Sequence, residues 1–284
     1  MIAATYTLFG AGIIQEWLAA AAALVYLMGQ SDAKRLRVSV WVATTGLVCL
    51  VLTLVLRYVQ WEVVPLTTGA DNLLLFTVLA TATAISVSCT TRNRSLLTFY
   101  LPPLAVLGAL CAALAFKDFS KAPHAMNVSQ TLLIVHVGLA FLAYALFFIA
   151  SLTSLAYVFQ SRRLKLRKTT GLFQKLPPLD TLDRTLHNLI KVGYPLFVIT
   201  LLMGLGWARF ASHALTATWW FSPKILFSAA MVIFYAASFH CRSLGLLRGP
   251  KLAYFVFVGY ALLIAVYLLL ELLRLTNYNF LVQP

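Results

Sequence analysis

Eight long apolar runs, at approximately 11–29, 38–59, 72–90, 97–116, 132–158, 193–212, 223–241 and 252–273, constrain this 284-residue chain more than any other feature. A helix that crosses the hydrocarbon core of a bilayer needs roughly 20 apolar residues. Inside lipid every backbone N–H and C=O must find its partner within the protein, so runs of this length span as α-helices. The sequence therefore predicts an all-α fold: a polytopic membrane helical bundle of about eight transmembrane helices, built as a single integral membrane domain over 1–284. Composition agrees, since 61% of residues are hydrophobic and 11% charged, far from a water-soluble domain. The connections are short, which excludes a large soluble domain.

The formal charge of +14 is placed between the apolar runs. Lys34, Arg35 and Arg37 follow the first run, Arg92 and Arg94 the third, eight basic residues fill 162–191 after the fifth, and Arg242, Arg248 and Lys251 follow the seventh. Sixteen of the 22 basic residues thus share one side. The other side holds Arg57, Lys117, Lys121, Arg209, Lys224 and Arg274, nearly balanced by Glu16, Glu62, Asp71, Asp118 and Glu271. Positively charged loops stay in the cytoplasm, so both termini are expected outside a plasma (inner) membrane that the chain crosses as a multi-pass protein. This pattern reads as topology and does not point to nucleic acid. The segment Gln160–Lys191 reads as the only long cytoplasmic connection, with a basic, leucine-bearing stretch suited to anionic lipid. Within it Pro177 and Pro178 break the chain, and Asp180 and Asp183 suit the start of a short helix running into the sixth run.

The cysteines Cys49, Cys89, Cys111 and Cys241 form no CxxC or CxxCH pattern, which argues against a thiol relay and against covalent haem attachment. The first run has no basic stretch before it and is interrupted by Gln15 and Glu16, so it reads as a retained helix. Glu16 has no partner in its own helix and is expected to face the bundle interior or the outer interface. Glu271 and Arg274 are spaced to pair on one helix face. No Ser/His/Asp order, HExxH, Walker loop or GxGxxG is present, and no enzymatic turnover is expected.

Histidine carries the chemistry that remains, because imidazole is a common iron ligand and is costly to bury alone in a membrane. His136 falls about four residues inside the outer end of the fifth run, and His240 at the cytoplasmic end of the seventh. Roughly 20 Å of bilayer would separate them at 1.5 Å per residue, so one haem cannot take both, and two sites would result. Each is equally a lone histidine satisfied by a neighbouring helix. His124 and His213 fall in outer loops, and His187 reads as solvated in the cytoplasmic connection. The outer segment after the sixth run carries Trp219, Trp220 and Phe221, flanked by Arg209 and Lys224. These side chains suit either an interfacial aromatic belt or a platform that stacks a porphyrin and pairs its propionates.

Three stretches resemble the membrane family of cytochrome c assembly proteins, which contains the haem-handling CcsA type and the HemX type. They are His136-Val-Gly-Leu-Ala-Phe-Leu-Ala-Tyr144 continuing to Tyr157 and Gln160, then Leu176-Pro-Pro-Leu-Asp-Thr-Leu-Asp183 into Gly204-Leu-Gly-Trp207, then Phe221-Ser-Pro-Lys224 leading to His240. The resemblance covers roughly 72–276. It implies haem b as the cofactor, His136 as the first outer iron ligand, His240 as a helix ligand, and Trp219, Trp220, Phe221, Arg209 and Lys224 around the porphyrin. Ser222 and Ile225 stand where the family's outer motif has Asp and Glu, and no histidine occurs near Asn277 or Asn279, where a second outer ligand is expected.

Two roles follow from the resemblance. One is a haem-handling component of cytochrome c maturation, with haem, membrane lipid and maturation proteins as partners. The other is a HemX-like membrane regulator of tetrapyrrole synthesis, acting on a haem-biosynthesis enzyme at the cytoplasmic loop.

Overall fold

The computed structural model describes residues 2–27, 33–66, 68–91, 93–120, 130–166, 176–211 and 223–272. Their regular elements are helices: α1 (Ile2–Leu27), α2 (Ala33–Trp61), α3 (Gly69–Thr90), α4 (Ser95–Asp118), α5 (Gln130–Lys165), α6 (Leu179–Ala211), α7 (Pro223–Ser243) and α8 (Pro250–Leu272). Seven are long and apolar enough to cross a membrane, and α8 adds a shorter apolar stretch, Pro250–Val266, among the described residues. The chain is a multi-pass helical membrane protein, as its apolar runs require.

Hydropathy misplaces two boundaries. Helix α1 begins at Ile2, because Ile2–Phe9 contains no proline or glycine and mixes apolar residues with threonines that a helix tolerates. The segment Gln160–Lys191 is helical at both ends, since α5 continues to Lys165 and α6 starts at Leu179. Pro177 and Pro178 end any preceding helix but are harmless just ahead of a new one. Asp180 then sits in the first turn of α6, where the helix dipole favours an acid. Leu182, Leu186, Leu189 and Ile190 recur at helical spacing and are all buried, so this polar-looking segment has an apolar stripe that hydropathy averaging dilutes.

The chain forms two compact units, one from Met1–Ala125 with Ala156–Thr185, the other from Met126–Leu155 with Leu186–Pro284. In the first unit α1 packs against α2 and α4, and α3 against α4 and α2. Their shared core joins Phe9, Ile13, Leu50, Leu74, Val78, Cys111 and Phe119. Buried hydroxyls in α3, such as Thr77 and Ser88, donate to the carbonyl four residues back, which satisfies them without a partner helix. The second unit is held by aromatic rings. Phe147 stacks on Tyr235 with ring centres 3.4 Å apart, Tyr144 meets Phe197 at 5.5 Å, and Phe234 stacks on Phe255 at 4.8 Å. Trp41, Phe116, Ile233 and Leu262 stand exposed on helix surfaces, as side chains facing lipid do.

Candidate functional site

His136 lies on the second turn of α5, and its ring is laid against the backbone of α6. A Cβ added at Gly204 would come within 2.9 Å of the imidazole Cε1 and 3.5 Å of Nε2. Only glycine leaves that notch, so Gly204 sets the position of the ring. Two residues further along each helix, a Cβ at Gly138 or at Gly206 would meet nothing within 4 Å. No residue from 134 to 142 or from 201 to 206 is buried. Further along α5 the surroundings close, and Ala143, Ala145, Phe147, Ile149 and Ala150 are fully buried. Among the described residues the unit is thus closely packed around its aromatic rings and only half-buried along 136–142.

His240 occupies the last turn of α7 and is exposed. Its ring meets Phe239 edge-on at 5.2 Å and Tyr194 edge-on at 6.4 Å. The sequence reading of His187 as a solvated loop residue is corrected here. His187 belongs to α6, is half-buried, and lies parallel to the Phe239 ring at 6.1 Å. Tyr194, seven residues on and so on the same helix face, takes the other side of Phe239 at 6.0 Å. The signal that could have placed His187 was its spacing of three and seven residues from Ile190 and Tyr194 in a helix begun just after Pro178.

Trp219, Trp220, Phe221, His124, His213 and Arg274 lie outside the described residues. Arg209 and Lys224 fall within α6 and the first turn of α7, and their side chains, like that of Glu271, also lie outside what is described. The four cysteines are free, in keeping with the absence of a paired motif.

The first unit contains buried polar groups that sequence reasoning left apart. Arg57 and Asp71 are both fully buried and form a two-pronged ion pair, Nη2 to Oδ2 at 3.0 Å and Nε to Oδ1. Nη1 of Arg57 donates to the Phe119 carbonyl at 3.0 Å, and the guanidinium lies 4.3 Å from the centre of the Phe119 ring. Thr68 caps α3 by accepting from the Asp71 N–H and donates its hydroxyl to Asp71 Oδ2 at 2.7 Å. Glu16 is buried as expected, and its Oε1 accepts from the Thr81 hydroxyl at 2.9 Å. An arginine inside an apolar run and an aspartate opening the next were the visible signal for the first pair.

Among the described residues no group of three or more His, Cys, Asp or Glu side chains comes together to hold a metal ion. His136 and His240 each present an imidazole, the ligand type that haem iron takes from a protein.

A model of the cytochrome C assembly protein family matches residues 67–276. The chain belongs to this family. The match takes in α3 to α8, so His136, Gly204, His187 and His240 are all within the cytochrome c assembly segment, whereas α1 and α2 precede it. Among similar proteins, Protein HemX of Bacillus subtilis (strain 168) is 29% identical over 122 residues, 43% of each chain. Cytochrome c biogenesis protein CcsA of Guillardia theta is 24% identical over 245 residues, 79% of this chain and 80% of that protein. Inner membrane protein YpjD of Escherichia coli (strain K12) is 31% identical over 115 residues, 40% of this chain and 42% of that one. The chain spans less than half the length of the HemX proteins it matches. No solved structure matches significantly.

Proposed function

We propose that this cytochrome c assembly family member handles haem b in cytochrome c maturation, as an inner-membrane protein with both termini outside and with no turnover by its own side chains. The observation that carries the reading is the His136 ring seated over Gly204, with open space at Gly138 and Gly206. One nitrogen donor beside two glycine faces fits a flat porphyrin, whose bulk needs a surface without side chains. Haem, when bound, would supply an iron that an imidazole can ligate. His136 would hold that iron, Trp219, Trp220 and Phe221 would stack on the ring, and Arg209 and Lys224 would pair with the propionates. Each stacked ring contributes on the order of 1 kcal/mol. His240 would serve a second site at the opposite end of its unit.

CcsA of Guillardia theta, named for cytochrome c biogenesis, is matched over most of its length, which supports this role. The match to HemX, with Ser222 and Ile225 in the outer motif, favours a second reading, regulation of tetrapyrrole synthesis through a partner on the cytoplasmic side. A visible absorption spectrum of the purified protein decides first. A Soret band that is lost or shifted in His136→Ala is the expected result, and co-purified haem with an unchanged spectrum in that variant would remove His136 as a ligand. Normal cytochrome c in a strain lacking the protein and any redundant homologue would leave only the regulatory role.

A further inference from the structure

We propose that Glu16 is a proton-binding site in the interior of the first unit, formed with Thr81 and the notch at Gly108. The three residues sit near the middle of α1, α3 and α4, which places the carboxyl deep between the two ends of membrane-spanning helices. Glu16 is 1% exposed. Its two oxygens have different surroundings. Oε1 accepts from the Thr81 hydroxyl at 2.9 Å, whereas Oε2 is buried and makes no hydrogen bond. A Cβ on Gly108 would lie 2.6 Å from Oε2 and 3.1 Å from Cδ1 of Ile13, so this oxygen fills an apolar notch that exists because residue 108 is glycine.

A carboxylate oxygen can only accept, and in a membrane interior it requires a cation or a donor. Arg57, the buried cation among the described residues of this unit, is committed to Asp71 and to the Phe119 carbonyl. Gln15 Oε1, on the preceding residue, is a second buried acceptor with no hydrogen bond, so this stretch of α1 is short of donors. A proton on Oε2 supplies one and removes the charge together. Among the described residues Glu16 belongs to no group of three or more His, Cys, Asp or Glu side chains that could hold a metal ion. The titratable neighbours are few. Cys49 of α2 lies by Gly12, Cys111 of α4 follows Gly108 by three residues with its thiol on the Ala70 carbonyl, and Asp71 of α3 is held by Arg57. Because α1 precedes the family segment and Thr81 and Gly108 lie within it, the site couples a helix outside the family match to two inside it, independently of haem.

The test is an infrared difference spectrum, wild type minus Glu16→Gln, of the full-length protein in lipid over a range of pH. A carboxylic-acid C=O band present in the wild type and absent from the variant is expected. Carboxylate bands alone from Glu16 at every pH would overturn the proposal. Dicyclohexylcarbodiimide provides a second readout, because the acid oxygen adds to the carbodiimide carbon, its proton passes to nitrogen, and acyl migration leaves an N-acylurea with nothing expelled. Label on the Glu16 peptide that disappears in Glu16→Gln is expected, and equal labelling of that peptide in both would overturn the site. If Glu16→Gln does not accumulate, Thr81→Val should move the same C=O band to higher frequency by removing the bond to Oε1, and a band that stays in place counts against the assignment.

Discussion

Replacing Asp71 with Asn removes the negative charge opposite a guanidinium that has no access to solvent. Arg57 would keep its bond to the Phe119 carbonyl and its place over the Phe119 ring, but it would lose both carboxylate contacts. Removing one partner of a buried ion pair costs about 3–5 kcal/mol, because the remaining charge stays buried without compensation. At about 1.4 kcal/mol per factor of ten, the folded-to-unfolded ratio should fall by roughly two to three and a half orders of magnitude. The double variant Arg57→Met with Asp71→Leu should recover most of this, since apolar replacement of a whole buried pair is often neutral or stabilising. The α3 cap survives in both, because Thr68 accepts from a backbone N–H. Equilibrium unfolding in mixed micelles, followed by circular dichroism, measures each variant. A loss below about 1 kcal/mol in Asp71→Asn, or a double variant as unstable as the sum of the single ones, would refute the reasoning.

Gly204→Ala should displace the His136 ring, which a Cβ would approach to 2.9 Å, and lower the ratio of Soret to protein absorbance several-fold. Gly206→Ala, whose Cβ meets nothing within 4 Å and so leaves the His136 ring in place, should still lower that ratio by putting a methyl on the bare surface proposed for the porphyrin. Phe147→Ala removes a fully buried ring stacked on Tyr235 and should cost about 3–5 kcal/mol, read as a lowered thermal midpoint in detergent. A reporter fused after Pro284 should be active only when it functions outside the cytoplasm, and cytoplasmic activity would reverse the proposed topology.

The helical, membrane-spanning character of this chain was legible because it depends on local content. Each apolar run must satisfy its own backbone in lipid, whatever lies beside it. The same locality explains the error at Gln160–Lys191. Averaged hydropathy there reports the charged residues and hides the stripe of Leu182, Leu186, Leu189 and Ile190, so the helix start at Asp180 is legible from its prolines and acids while the half-buried place of His187 is not. His136 was legible as a candidate from its type and depth, but the notch at Gly204 that seats it was not, since nothing in a sequence says which glycine of another helix will face a given ring.

Length, helicity, the number of apolar runs and the bias of positive charge were thus determined by the sequence alone, because each follows from the transfer of one segment between water and lipid. Partner choice was decided by tertiary structure. Arg57 meets Asp71 across 14 residues of chain and Glu16 meets Thr81 across 65, because a buried polar group is satisfied by whichever helix stands beside it, and that neighbour is fixed only when the helices assemble.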